Sequence, residues 1–275
     1  MSDGLTPSTH ETPTGGGNGA RIAVVAVVLA LVAGGAWWLL AEQSGPAAST
    51  ASTATAKRLG WQATWKTAGF KGERGQLPGS ATLELKGAAG RLGGAAGLEA
   101  KLKAWRASGA LREVSLREAR TYDVRSAGAL FAQLEEGKAK PAHALEAAWL
   151  TRALCDAAGL TCTFVVGGGT VQTPLILSHT RVGLQVKGGP LLQPLGHTLK
   201  EHRALSDELA AAWWLLVRAQ ANRGQSLYKA AHADIALAAK LAPASAAPAF
   251  ARGVVQLDQG LIDRGVDTCE TALAK

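Results

Sequence analysis

Cysteine and histidine are the residues whose chemistry this chain could use near neutral pH. Cys155 and Cys162 are separated by a single turn. That spacing leaves two readings open: a disulfide in an oxidising compartment, or two buried unpaired thiols. With Cys269 the only other cysteine, there is no disulfide framework. The six histidines are dispersed and none has a histidine partner four residues away, so no metal site and no cofactor are expected. A thiol nucleophile needs an imidazole within hydrogen-bond reach and a third group to orient it. His179, which opens a predicted strand, is the first residue to suggest that arrangement.

The elements that would position these groups begin at Pro141. His143, Ala147, Leu150, Leu154 and Ala158 share one side of a predicted helix, with Arg152 and Asp156 opposite and Gly159 as its stop. CTFVV from Cys162 reads as a strand, Val171 to Leu177 as a second with Pro174 at an edge or bulge, and Thr180 to Val186 as a third. Upstream, Gly97 to Glu136 reads as short helices, one through Leu98, Leu102 and Trp105 and one from Ala127 to Leu134. SATLELK (80–86) alternates as a strand would.

The N-terminal part has a different character. Residues 1–20 are rich in Ser, Thr, Pro and Gly and are expected to be a disordered tail. Ile22 to Ala41 carries no charge, and as a helix its length of about 30 Å would match a bilayer core. Trp37 and Trp38 suit the headgroup layer. The segment (21–42 with its flanks) is expected to be a retained single-pass transmembrane helix, followed by a flexible linker, 43–56. An Ala47-Ala48-Ser49 run keeps cleavage open. Lys57 and Arg58 behind the span favour a cytoplasmic domain by charge, whereas a short tail before a long domain suits a signal anchor and a periplasmic one. The formal charge of +8 is scattered, without a dense basic run. Solubility or attraction to anionic lipid accounts for it, and no nucleic-acid partner is expected.

From Ser206, a predicted N-cap with Asp207 and Glu208 in the first turn, the chain turns helical. Four helices are expected: from Ser206 to Gly224, Ser226 to Leu241, Pro248 to Gly260 and Ile262 to Ala274. A 34-residue period aligns Ala219 with Gly253, Ala231 with Gly265, Ile235 with Cys269 and Ala238 with Ala272.

The phrase LCDAAGLT (154–161) and the order helix, strand, strand, histidine-headed strand resemble the core of the transglutaminase-like (papain-related) superfamily. The resemblance spans about Lys140 to Gly196. It implies a nucleophilic cysteine at the helix start, His179 as base, and a third group from the Leu191–Pro194 strand, where Gln193 is the suitable side chain. The nucleophile position falls near Ala144, and no Cys or Ser lies between Gln133 and Trp149. Cys155 stands about 16 Å further along the helix. The 34-residue unit resembles the tetratricopeptide (TPR) repeat, two copies of which would pack against the preceding domain. The order of the two domains resembles that of a family of bacterial proteins.

The expected fold is therefore α+β: a transglutaminase-like domain over 57–200 and two TPR-like hairpins over 204–275, behind one membrane span. The expected function is that of a non-catalytic scaffold, a pseudoenzyme of the bacterial inner membrane. It would bind a protein or peptide through Arg218, Asn222, Arg223, Lys229, Asp234 and Arg252. The alternative is a cysteine hydrolase or transferase acting on protein or peptidoglycan, with His179, Cys155 and Gln193 as its residues.

Overall fold

The computed structural model describes residues 77–115, 118, 122–138, 140–167, 181–199 and 202–274. The expected tail, transmembrane helix and linker, the strand at 171–177, and His179 lie outside the described residues. Among the described residues no helix is long and apolar enough to cross a membrane.

In chain order the elements are helices α1 (Leu83–Gly90) and α2 (Ala95–Ala107), strand β1 (Leu111–Glu113), helix α3 (Ala127–Glu135), strand β2 (Lys140–Ala142) and helix α4 (Ala144–Ala157). Strands β3 (Cys162–Gly167), β4 (Val182–Val186), β5 (Leu191–Leu192) and β6 (His202–Leu205) follow. Helices α5 (Asp207–Gly224), α6 (Tyr228–Leu241), α7 (Ala247–Asp258) and α8 (Ile262–Leu273) complete the chain. The architecture is mixed α+β with paired helices. β1 and β2 form a parallel pair, and the other strands form an antiparallel sheet ordered β5-β4-β3-β6.

α4 is the centre of the α/β part. Its stop is a Gly159 turn, in which Leu160 N–H donates to the Cys155 carbonyl at 2.8 Å. Cys162, Phe164 and Val166 alternate along β3 and join the main core, as period-two pleating requires. Trp149 of α4 meets the Phe164 ring at 4.7 Å between centroids. α5 is buried continuously from Ala210 to Val217 because it is packed on two sides, by α4 and β3 and by α6. Trp149 Nε1–H donates to the Ala210 carbonyl at 3.5 Å, and Arg152 Nη1 meets Asp207 Oδ1 at 2.8 Å. The helical part is thus welded to the α/β part through α5.

The 34-residue period is a geometric repeat. Leu227 N–H donates to the Asn222 carbonyl at 2.8 Å, and 34 residues later Leu261 N–H donates to the Gln256 carbonyl at 3.0 Å. Both bonds close the same left-handed helix end. Gly260 takes that conformation with φ 79°, and Ser226 takes it with φ 60°. A serine there carries backbone strain that the glycine avoids.

Several expectations need correction. Residues 80–86 do not form a strand. Thr82 Oγ1 accepts from Leu85 N–H at 3.3 Å and caps α1, and Leu85 and Ala89, four apart, are the buried pair. Leu83, which supplied half of the apparent alternation, is exposed. The stretch 97–136 is not purely helical, because Leu111–Glu113 pairs with Lys140–Ala142 as β1 and β2. The second expected repeat helix starts at Tyr228, since Ser226 belongs to the turn before it.

Candidate functional site

The N-terminus of α4 is the position at which the resemblance would place a nucleophile. Its first residue is Ala144, buried, and its N-cap is His143. His143 Nδ1 accepts from Leu145 N–H at 3.1 Å, while Glu146 Oε2 accepts from His143 N–H at 2.9 Å. The two side chains thus cap the helix reciprocally. The His143 side chain is buried, at 2% exposure.

A polar network seals this end. Arg125 Nε lies 3.2 Å from Glu146 Oε1, and Arg125 Nη1 donates to Gln133 Oε1 at 2.6 Å. Arg125 Nη2 donates to the Pro141 carbonyl. The Tyr122 hydroxyl accepts from His143 N–H at 2.8 Å. Burial pushes the Glu146 carboxyl up, to about 8, against the pull of backbone N–H donors from Arg125 and His143. Burial likewise lowers the Arg125 guanidinium to about 10. None of these groups is free to activate a nucleophile, because each is engaged in closing the helix end.

Burial lowers the His143 imidazole to about 4, partly offset by the Glu113 carboxylate. Protonation at Nδ1 would also break the cap. A folded-state pKa below the unfolded value means that the stability from neutral His143 is complete above about pH 6.5 and is lost as the pH falls towards 4. The expected loss over that window is about 3 kcal/mol. Glu146, shifted the other way, contributes the opposite slope between its ordinary range and about 8. His143→Asn keeps a good cap without titrating there. The Glu146 slope is common to both proteins, so chemical denaturation at pH 7 and pH 4 should show the variant gaining about 3 kcal/mol on the parent as the pH falls. Equal slopes would contradict this role.

Of the expected catalytic set, His179 lies outside the described residues and Cys155 sits at the opposite end of α4 from Ala144. Cys155 lies in the last turn of α4, fully buried, against Cys162. Arg106 of α2 donates to the carbonyls of Gln193 and Pro194 at 2.8 and 3.1 Å, so the backbone at Gln193 serves as an anchor for the segment after β5.

The expected binding residues divide in two. Arg218 and Asp234 face each other between α5 and α6, with Arg218 Nε donating to Asp234 Oδ2 at 2.9 Å and Asn222 Nδ2 donating to the same oxygen at 3.0 Å. Asp234 is 4% exposed, and burial raises its carboxyl while Arg218 and Asn222 oppose that shift. Arg218, Asn222 and Asp234 are therefore clamped together within the hairpin, Asp234 buried and Arg218 and Asn222 half-buried. Arg223 is half-buried, with Nε 3.2 Å from Asp258 Oδ2, and ties α5 to α7. Lys229 and Arg252 are exposed. Arg252 is the repeat equivalent of Arg218, but Thr268 replaces Asp234 and turns its hydroxyl onto the Arg264 carbonyl at 2.8 Å.

Sequence reasoning missed Arg125, Tyr122 and Gln133, which come from a different part of the chain. The signal that was present is the His143–Glu146 spacing of a capping box. Comparison with protein-family models, curated proteins and solved structures finds no match to the chain. Among the described residues no group of three or more His, Cys, Asp or Glu could hold a metal ion.

Proposed function

We propose that this chain is a membrane-tethered, non-catalytic protein- or peptide-binding protein of the bacterial envelope. On this reading Ile22–Ala41 is a single-span anchor in the inner membrane. A degenerate transglutaminase-like domain follows it, and two tetratricopeptide hairpins carry the partner surface. The observation that carries the reading is Ala144 at the head of α4, closed behind the His143–Glu146 cap. An alanine methyl offers no nucleophile, and the polar groups beside it, Arg125, His143 and Glu146, are taken up in capping the helix. Supporting it further, Cys155 stands about 16 Å along the same helix, with its sulfur against Cys162. The 34-residue repeat and its matched turns support the second half of the reading. Lys229 and Arg252, exposed on α6 and α7, are the residues assigned to the partner.

The test is affinity recovery from detergent with the full chain and with a Lys229→Glu/Arg252→Glu variant. Recovery of a partner should fall roughly tenfold in the variant, the loss of about 1.4 kcal/mol of binding, with circular dichroism and melting unchanged. Equal recovery would remove these two residues from the proposal. Turnover of protein or peptidoglycan that Cys155→Ala abolishes would replace the scaffold reading with the cysteine-enzyme one.

A further inference from the structure

Two thiols in this fold have no task in the function proposed above. Cys155 ends the buried run of α4, and Cys162 is the first residue of β3, facing the same core. Between them the chain reverses through Gly159, φ 71°, a turn held by Leu160 N–H on the Cys155 carbonyl. The turn brings the helix end and the strand start together, and the two sulfurs are direct neighbours. Both cysteines are reduced in the structure. The third, Cys269, lies far along the chain on α8, where its Sγ contacts the Phe250 carbonyl at 3.8 Å.

We infer that Cys155 and Cys162 are a modification site: an intramolecular disulfide that staples the C-terminal end of α4 to the start of β3. The surroundings favour reaction at Cys162. Its thiol is lowered by Cys155 and by the Arg152 guanidinium, whereas that of Cys155 is raised. Arg152 is held beside them by Asp156 at 2.9 Å and Asp207 at 2.8 Å. The oxidant is a small disulfide such as glutathione disulfide. The Cys162 thiolate attacks it to give a mixed disulfide and release one glutathione. Cys155 then attacks the Cys162 sulfur, forming the protein disulfide and releasing the second glutathione. Two protein thiols are oxidised, one disulfide is reduced, and the two protons leave on the two glutathiones. Because both sulfurs are buried, the bond forms during folding or on local opening of the turn.

The full chain, in detergent, is unfolded and refolded in glutathione buffers running from fully reduced to fully oxidised. It is then acid-quenched, denatured, alkylated and digested for mass spectrometry. Under oxidising buffers a single thiol, Cys269, should be alkylated, and a linked peptide pair should carry Cys155 and Cys162. Reduction of the native oxidised protein should lower its melting midpoint by about 5–10 °C, a shift absent from Cys155→Ala/Cys162→Ala. Three alkylated thiols at the most oxidising buffer, or a bridge containing Cys269, would overturn the inference. The peptide mapping needs only the unmutated chain, so it decides the matter even where the variant folds poorly. It is also independent of whether the chain binds a partner.

Discussion

Replacing Arg125 by methionine is expected to destabilise the protein by about 3–5 kcal/mol, measured by urea unfolding at pH 8. The substitution keeps most of the aliphatic volume but leaves Glu146, whose side chain is fully buried, without its cation. It also removes the donors to Gln133 and to the Pro141 carbonyl. The cost should depend on pH. In the parent, burial already holds the Glu146 carboxyl up at about 8 against two backbone N–H donors, and removing the neighbouring guanidinium moves it further up. The Glu146 contribution is then greatest below about pH 4.5 and falls as the pH rises, in the variant continuing above pH 8, because the folded state holds a proton that the unfolded chain has lost. Adding Glu146→Gln should recover much of the loss at pH 8, since a neutral amide can still accept from the N–H groups of Arg125 and His143. A variant as stable as the parent at pH 8 would show that this pair does not hold the α4 N-terminus.

Gly253→Ala is expected to cost about 3 kcal/mol, because α7 and α8 approach each other through glycine. A Cβ at Gly253 would collide with Cys269 Sγ and would lie 2.8 Å from the Gly265 carbonyl oxygen and 3.0 Å from Cys269 N. Two of those neighbours are helix backbone, so the helices must separate to admit one methyl group. Cys269→Ala in the same chain should relieve only the sulfur contact and restore a minor part of the stability. The measurement is thermal and urea unfolding followed by helical circular dichroism. A change below about 1 kcal/mol would mean that the α7–α8 pair is loose enough to absorb the methyl. The first repeat is built differently at the same positions. Ala219 and Ala231, both buried, stand where the second has Gly253 and Gly265, so α5 and α6 pack around two methyl groups that α7 and α8 exclude.

The contrast between these two sites separates what was legible in the residues from what was not. The four C-terminal helices could be read because their punctuation is local. The Ser206 hydroxyl accepts from Leu209 N–H, Gly260 supplies a left-handed turn, and Pro248 sits in a first turn where its missing N–H costs nothing. The α4 stop at Gly159 and the strand from Cys162 were readable for the same reason. The α1 error had a local cause as well: Leu83 and Leu85 alternate over too few residues to distinguish a strand from a capped helix, and only burial shows that Leu85 and Ala89 are the inward pair.

The candidate site was less legible, because its meaning depends on long-range contact. From composition alone, Arg218, Asn222 and Asp234 are polar helix residues of the kind that face solvent. In the fold, the packing of α5 on α6 closes them against one another. Arg125 and Glu146, 21 residues apart, become one unit only after α3 and α4 pack.

By itself, then, the sequence determined the α+β class, the 34-residue repeat and the alanine at the head of α4, all of which are properties of neighbouring residues and their periods. Tertiary structure decided which polar groups are buried and paired, which remain open at Lys229 and Arg252, and that the sulfurs of Cys155 and Cys162 meet. The physical reason is that capping and periodicity act within a few residues, whereas desolvation and pairing depend on whichever surface another part of the chain covers.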